Sequence, residues 1–86
     1  MVSKKTWYVY MLRCKDNSLY TGISTDVEKR LEAHNNRVGS KSVIAHGLPV
    51  ILVHTEEAVS YSAALKREAA IKRLSKCEKE ALVRKK

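Results

Sequence analysis

Two strand-like stretches lie three residues apart near the start of the chain, and that spacing constrains the fold more than any other feature. "TWYVYMLRC", Thr6 to Cys14, is rich in aromatic and β-branched residues. "SLYTGI", Ser18 to Ile23, follows after Lys15-Asp16-Asn17. A three-residue hairpin loop needs a left-handed third residue, and asparagine tolerates that conformation. The register then follows: Cys14 faces Ser18, Leu12 faces Tyr20, and Tyr10 faces Gly22. Side chains alternate across a strand, so Tyr10 and Tyr20 point to one face, and Tyr8 shares it. Gly22 has no side chain, and the gap it leaves beside Tyr10 is expected to admit a substrate backbone or an ion.

After the hairpin, Thr25-x-x-Glu28 reads as a capping box, so a helix is predicted from about Asp26. Val27, Leu31, His34 and Val38 recur at helical spacing and form its expected buried stripe. Asn35 to Leu48 holds Gly39 and Gly47 and reads as a loop with a basic tip around Arg37 and Lys41. "PVILVHTEE" from Pro49 is a third strand, with proline tolerated at a strand start. Ser60 or Ser62 caps a helix to about Leu74, and Ser75-x-x-Glu78 caps a last one to about Arg84. The expected order is β-β-α-β-α-α, an α+β arrangement (an α/β sandwich) with helices packed on a small sheet. Its 86 residues make one domain, 1–86, and with no phenylalanine the core must come from Trp7, the tyrosines and the aliphatic residues.

Composition excludes several classes. The longest apolar runs are far short of a membrane span, and no apolar segment follows Met1 to Lys5, so neither a membrane helix nor a signal peptide is expected. Cys14 and Cys77 lack a CxxC spacing, which argues against a disulfide or zinc framework and for a reducing cytoplasm. Net charge is +8, and residues 66–86 carry nine basic and three acidic side chains, so they hold +6 of it. A basic block on regular structure points to a polyanion, and nucleic acid is the expected partner. Lys4, Lys5, Lys85 and Lys86 read as solvated ends.

The chemistry-bearing residues form an ordered series. Arg30 and His34 are one helical turn apart and share the face turned to the sheet. Glu68, four residues after Ala64 and three before Ile71, sits at the edge of an apolar stripe and is flanked by Lys66, Arg67, Lys72 and Arg73. A carboxylate there is a candidate ligand for one hard divalent cation, Mg²⁺ or Mn²⁺, which takes its remaining ligands from water and a phosphate. Phosphodiester hydrolysis needs a water nucleophile, charge stabilisation and help for the leaving oxygen. Tyr10 is the candidate base, its pKa expected to be lowered by nearby cations. Tyr20 orients the water, Arg30 clamps a phosphate oxygen, and His34 relays a proton or contacts phosphate. Tyr8, Gly22, Lys41 and Lys72 are the candidate substrate contacts. His46 and His54 have no partners at metal spacing and read as structural. Singly, each residue has a plainer role: half-buried strand tyrosines, a turn glycine, a surface arginine, a packed histidine, and a Glu68–Lys72 ion pair.

"YVY" (Tyr8 to Tyr10), "YTG" (Tyr20 to Gly22), Arg30, His34 and the late "LKREAAIK" around Glu68 resemble the GIY-YIG nuclease domain. The similarity is greatest to its small stand-alone bacterial (YhbQ/YazA-like) members and covers roughly Trp7 to Val83. That domain occurs in excision-repair subunits, homing endonucleases and structure-specific DNA nucleases. The resemblance implies a three-stranded antiparallel sheet flanked by helices. It implies one divalent metal on Glu68, the motif tyrosines at Tyr10 and Tyr20, and the helix arginine at Arg30. DNA, rather than RNA, is the implied substrate, in single-stranded, branched or damaged form. Three departures stand out: Tyr8 replaces the family's first glycine, no asparagine follows Asn36, and no second DNA-binding domain is seen. They keep two alternatives open: an inactive nucleic-acid-binding module, and a protein-interaction domain whose partner brings the nucleic acid.

Overall fold

The computed structural model describes residues 6–38 and 41–84; the lysines read above as solvated ends lie outside them. Strand β1 (Trp7–Arg13) pairs antiparallel with β2 (Leu19–Ser24) on one side and with β3 (Ile51–Ala58) on the other, giving the order β2-β1-β3. The central place of β1 follows from its sequence. Val9 and Met11 point one way, Tyr10 and Leu12 the other, and all four are buried, as expected of a strand covered on both faces. Burying a side chain of this size contributes about 1.5–3 kcal/mol.

The hairpin register is the predicted one: Tyr10 pairs with Gly22 and Leu12 with Tyr20. The Cys14 amide donates to the Ser18 carbonyl at 2.9 Å, and Asn17 takes φ 72°. Asp16 braces the loop by accepting from the Ser18 amide at 3.0 Å. A bulge between Met11 and Leu12 leaves Val53 of β3 unmatched, so Thr55 pairs with Tyr10 and Leu52 with Leu12. Leu52 and Thr55 therefore face the same side of the sheet although they are three residues apart.

Helices α1 (Val27–Asn35) and α2 (Lys41–His46) cover the Tyr10–Leu12 face; α3 (Tyr61–Lys72) and α4 (Lys76–Arg84) cover the Val9–Met11 face. The result is a three-layer sandwich in the expected order, with α2 added. That six-residue helix lies in the stretch read as a loop. It is held by long-range contacts: Val43 enters the core, the Lys15 amide donates to Gly47, and His46 Nδ1 meets Asp16 Oδ2 at 2.8 Å.

Two local expectations need correction. The cap of α1 is Asp26, not Thr25. Ser24 Oγ takes the Asp26 amide, and Asp26 Oδ1 then accepts from the Lys29 amide at 3.1 Å, so capping slides on by one residue. Val38 is not part of the buried stripe; it is 73% exposed, because the helix ends at Asn35 and Arg37 takes φ 64°. Ser60 caps α3, and Ser75 and Glu78 form the predicted reciprocal box before α4.

Ion pairs tie the helices to the sheet. Arg67 of α3 forks onto Glu56 of β3 at 2.7 and 3.0 Å, and His54 meets the same carboxylate at 2.7 Å. Arg13 of β1 forks onto Glu80 of α4 at 2.8 and 2.6 Å. The Asn35 amide clamps both backbone groups of Val50, fixing the end of α1 to the start of β3.

Candidate functional site

Tyr10 stands at the centre of the site and is almost completely buried, 1% exposed. The space opposite it at Gly22 is not open to substrate or ion, as had been expected: the phenol itself fills it. A Cβ on Gly22 would lie 2.6 Å from Tyr10 Oη, 2.8 Å from its Cζ and 3.1 Å from Tyr20 Cε2. Glycine is needed here because the ring crosses the backbone of β2.

Around the phenol three aromatic rings form a cluster. The Tyr20 ring centre lies 6.3 Å from that of Tyr10, and His34 lies 6.4 Å from Tyr10 and 5.4 Å from Tyr20. Tyr10 Oη and His34 Nε2 are 3.4 Å apart, a long hydrogen bond. His34 is fully buried, so it faces the phenol and has no open path to a phosphate. Burial, helped by the Arg30 charge, pushes its pKa down. The imidazole is therefore neutral at pH 7 and can accept a proton.

Burial also pushes the Tyr10 pKa up. The Arg30 guanidinium pulls against this as a donor to the phenol oxygen and through its charge, while Tyr20 and Glu68 add to the rise. Of the cations expected to lower it, Arg30 alone does not offset the desolvation. That Glu68 acts on this phenol at all is informative, because α3 lies on the opposite face of the sheet. The strand order supplies the reason. β2 is an edge strand, α3 packs across β2 and β1, and the Tyr10 ring extends over Gly22 toward that edge. Groups from α1 and α3 can meet around that edge.

The Glu68 carboxylate is partly exposed, 20% by side chain, and stands 3.4 Å from Lys72 Nζ. Nearby in the sheet, Thr21 points to the α3 face, and its buried Oγ1 has no hydrogen-bond partner among the described residues. No group of three His, Cys, Asp or Glu side chains able to hold a metal occurs among the described residues. A lone, partly hydrated carboxylate suits a hard cation that keeps most of its water and does not suit zinc.

Tyr20 and His34 thus pack around the Tyr10 phenol, Arg30 acts on it from α1, and Glu68 acts on it from α3 only as the weakest of the charges. Lys72 reaches the site through Glu68. Lys41 is exposed at the start of α2, not on a loop tip, and no hydrogen bond or ion pair among the described residues links it to the cluster. Tyr8 lies two residues from Tyr10 on the same face and lines a separate cleft of about 350 Å³ with Thr25, Asp26, Val27, Glu28, Leu52 and Thr55. Sequence reasoning missed the His54–Glu56–Arg67 chain, which holds α3 one residue before Glu68. The i, i+2 spacing of His54 and Glu56 on one strand face was its legible sign.

The GIY-YIG catalytic domain model matches residues 6–81. A UPF0213 protein of Enterococcus faecalis is 44% identical over 81 residues, covering 93% of this chain and 92% of the relative. A UPF0213 protein of Natronomonas pharaonis is 50% identical over 76 residues, covering 88% of each chain. The solution structure of a UPF0213 protein from Bacillus halodurans, 42% identical, superposes with a TM-score of 0.58 over 91% of this chain and 82% of that one. That of an E. faecalis protein, 44% identical, superposes at 0.63 over 94% and 85%. No helix among the described residues is long and apolar enough to cross a membrane. With the domain model matching residues 6–81 and the relatives matching nearly the whole chain, the chain belongs to the GIY-YIG family of nuclease domains, among its UPF0213 members.

Proposed function

We propose that this protein is an endonuclease that hydrolyses phosphodiester bonds in DNA, using one divalent cation, Mg²⁺ or Mn²⁺, on Glu68. The reading is supported by the packing of Tyr20 and His34 around the Tyr10 phenol, with the Arg30 charge beside it and a weaker influence from Glu68. Arg30, exposed on α1, forks onto the scissile phosphate. A cation on Glu68 would supply charge neutralisation at that phosphate and at the leaving oxygen.

Tyr10 is protonated near neutral pH, so it acts as a relay and not as a standing phenolate. As the phenol oxygen takes a proton from water, its own proton passes to neutral His34 Nε2, across a contact that shortens from 3.4 Å. The resulting imidazolium is opposed by burial and by Arg30. Binding of the phosphate dampens the Arg30 charge and makes the transfer easier. Tyr20, more exposed than Tyr10, orients the water.

The test is nicking of supercoiled plasmid and cleavage of a panel of single-stranded, branched and duplex DNA with Mg²⁺ or Mn²⁺. Glu68→Gln and Arg30→Ala should each lower the rate at least about 100-fold, the scale of removing one transition-state contact. A second reading, binding without turnover, is favoured by one observation: the phenol is 1% exposed. Salt-sensitive binding that ignores EDTA and Glu68→Gln, with no cleavage of any substrate, would establish that reading in place of the first.

A further inference from the structure

Two clefts adjoin at the start of α1, and their linings are opposite in charge. One, of about 310 Å³, is lined by Ser24, Thr25, Asp26, Lys29, Arg30 and Ala33 and carries both cations. The other is the Tyr8 cleft of about 350 Å³ already described, which shares Thr25 and Asp26 with it. It contains no cation. Its polar groups are the Asp26 and Glu28 carboxylates, the Thr25 and Thr55 hydroxyls and the Tyr8 phenol.

A phosphate is drawn to the first cleft and repelled from the second. What the second offers is an aromatic face, two apolar walls from Val27 and Leu52, and two carboxylates that only accept, beside three hydroxyls that can donate or accept. Among the described residues, the side chains of Tyr8, Thr25, Glu28 and Thr55 make no hydrogen bond. The bulge in β3 is what places Leu52 and Thr55 together on this wall, beside Tyr10. Such a surface suits a flat ring with outward N–H groups. Cytosine, adenine and guanine carry an exocyclic amine that a carboxylate accepts; thymine presents only a ring N–H flanked by two carbonyl acceptors.

We infer that the Tyr8 cleft is a nucleobase subsite, which takes an unpaired base bearing an exocyclic amino group from the nucleotide whose phosphate lies at Arg30. The ring stacks on Tyr8, and the amine donates to Glu28 or to the free oxygen of Asp26. Asp26 keeps its other oxygen on the Lys29 amide. This rests on the nucleic-acid reading above and adds to it a preference at one nucleotide. The preference comes from α1 and β3, outside the tyrosine pair.

The experiment titrates the full, ¹⁵N-labelled chain with trinucleotides of deoxycytidine and of thymidine in EDTA, so that no cleavage occurs. Deoxycytidine should shift the amides of Tyr8, Glu28, Leu52 and Thr55 and bind about tenfold more tightly than thymidine, the worth of one charge-assisted hydrogen bond. Glu28→Ala, at an exposed helix position, should reduce the preference, and Glu28→Ala with Asp26→Ser, which keeps a capping oxygen, should remove it, while Thr55→Val lowers both affinities. Shifts confined to Lys29 and Arg30, or cleft shifts equal for the two oligomers, would overturn the subsite and leave the nuclease reading standing. No shift with either, together with no binding of longer single strands at low salt, would overturn both.

Discussion

Replacing Gly22 by alanine tests the packing of the site with the least chemical change. The added Cβ would stand 2.6 Å from Tyr10 Oη and 2.8 Å from Cζ, both well inside contact distance. Tyr10 cannot swing away freely, because its ring packs with Leu12, Cys14, Val43 and Val50 in the core. Overpacking of this kind costs about 1–3 kcal/mol. The total stability of an 86-residue domain is only about 4–13 kcal/mol. Urea unfolding followed by Trp7 fluorescence should therefore show a clear drop in midpoint. Tyr10→Phe in the same background removes the 2.6 Å clash but leaves the one with Cζ, so it should restore part of the loss and not all. The cycle should give a coupling of about 1 kcal/mol. Gly22→Ala with a midpoint unchanged from the parent, or no coupling to Tyr10→Phe, would refute the claim that the phenol crosses the glycine.

Three further outcomes follow. His34 has its pKa lowered in the fold, so it stabilises fully above the unfolded value of about 6.5 and loses that contribution as pH falls from there toward its folded value; His34→Gln should flatten the slope of stability against pH in this window, measured by urea titration between pH 5 and 7. Thr21 Oγ1 is buried without a partner, so Thr21→Val should be neutral or stabilise by up to about 1 kcal/mol, and a loss of 1 kcal/mol or more on denaturation would mean the hydroxyl is satisfied. Lys72 competes for Glu68 at 3.4 Å, so Lys72→Ala should tighten Mn²⁺ binding about two- to fivefold, the scale of a surface ion pair, read from water-proton relaxation enhancement.

The register of the hairpin was legible because a three-residue loop leaves few ways to pair two strands, and the residue that must turn left-handed is an asparagine. Faces then followed from alternation, which put Tyr8, Tyr10 and Tyr20 together. What the sequence did not reveal depends on long-range neighbours. Helix α2 is too short to announce itself and is held by Asp16 and Lys15, some thirty residues away in the chain. Glu68 was placed at the edge of a helical stripe, but its nearness to Tyr10 depends on β2 being the outer strand, which periodicity does not determine. The weight of burial on Tyr10 was missed for a related reason: cations near a phenol are visible in a sequence, and the depth of its burial is not. Thr25 looked like a cap because the box motif fits it, yet Asp26 is one residue closer to the helix and carries an equally good acceptor.

Paramagnetic broadening by Mn²⁺ of the ¹⁵N-labelled chain measures the central claim most directly, since it reports where an ion sits without requiring turnover. Amides of Glu68, Thr21, Gly22 and Tyr10 should broaden first and together, and Glu68→Gln should abolish the effect. Broadening that survives Glu68→Gln, or that centres on other carboxylates and spares Gly22 and Tyr10, would contradict the account.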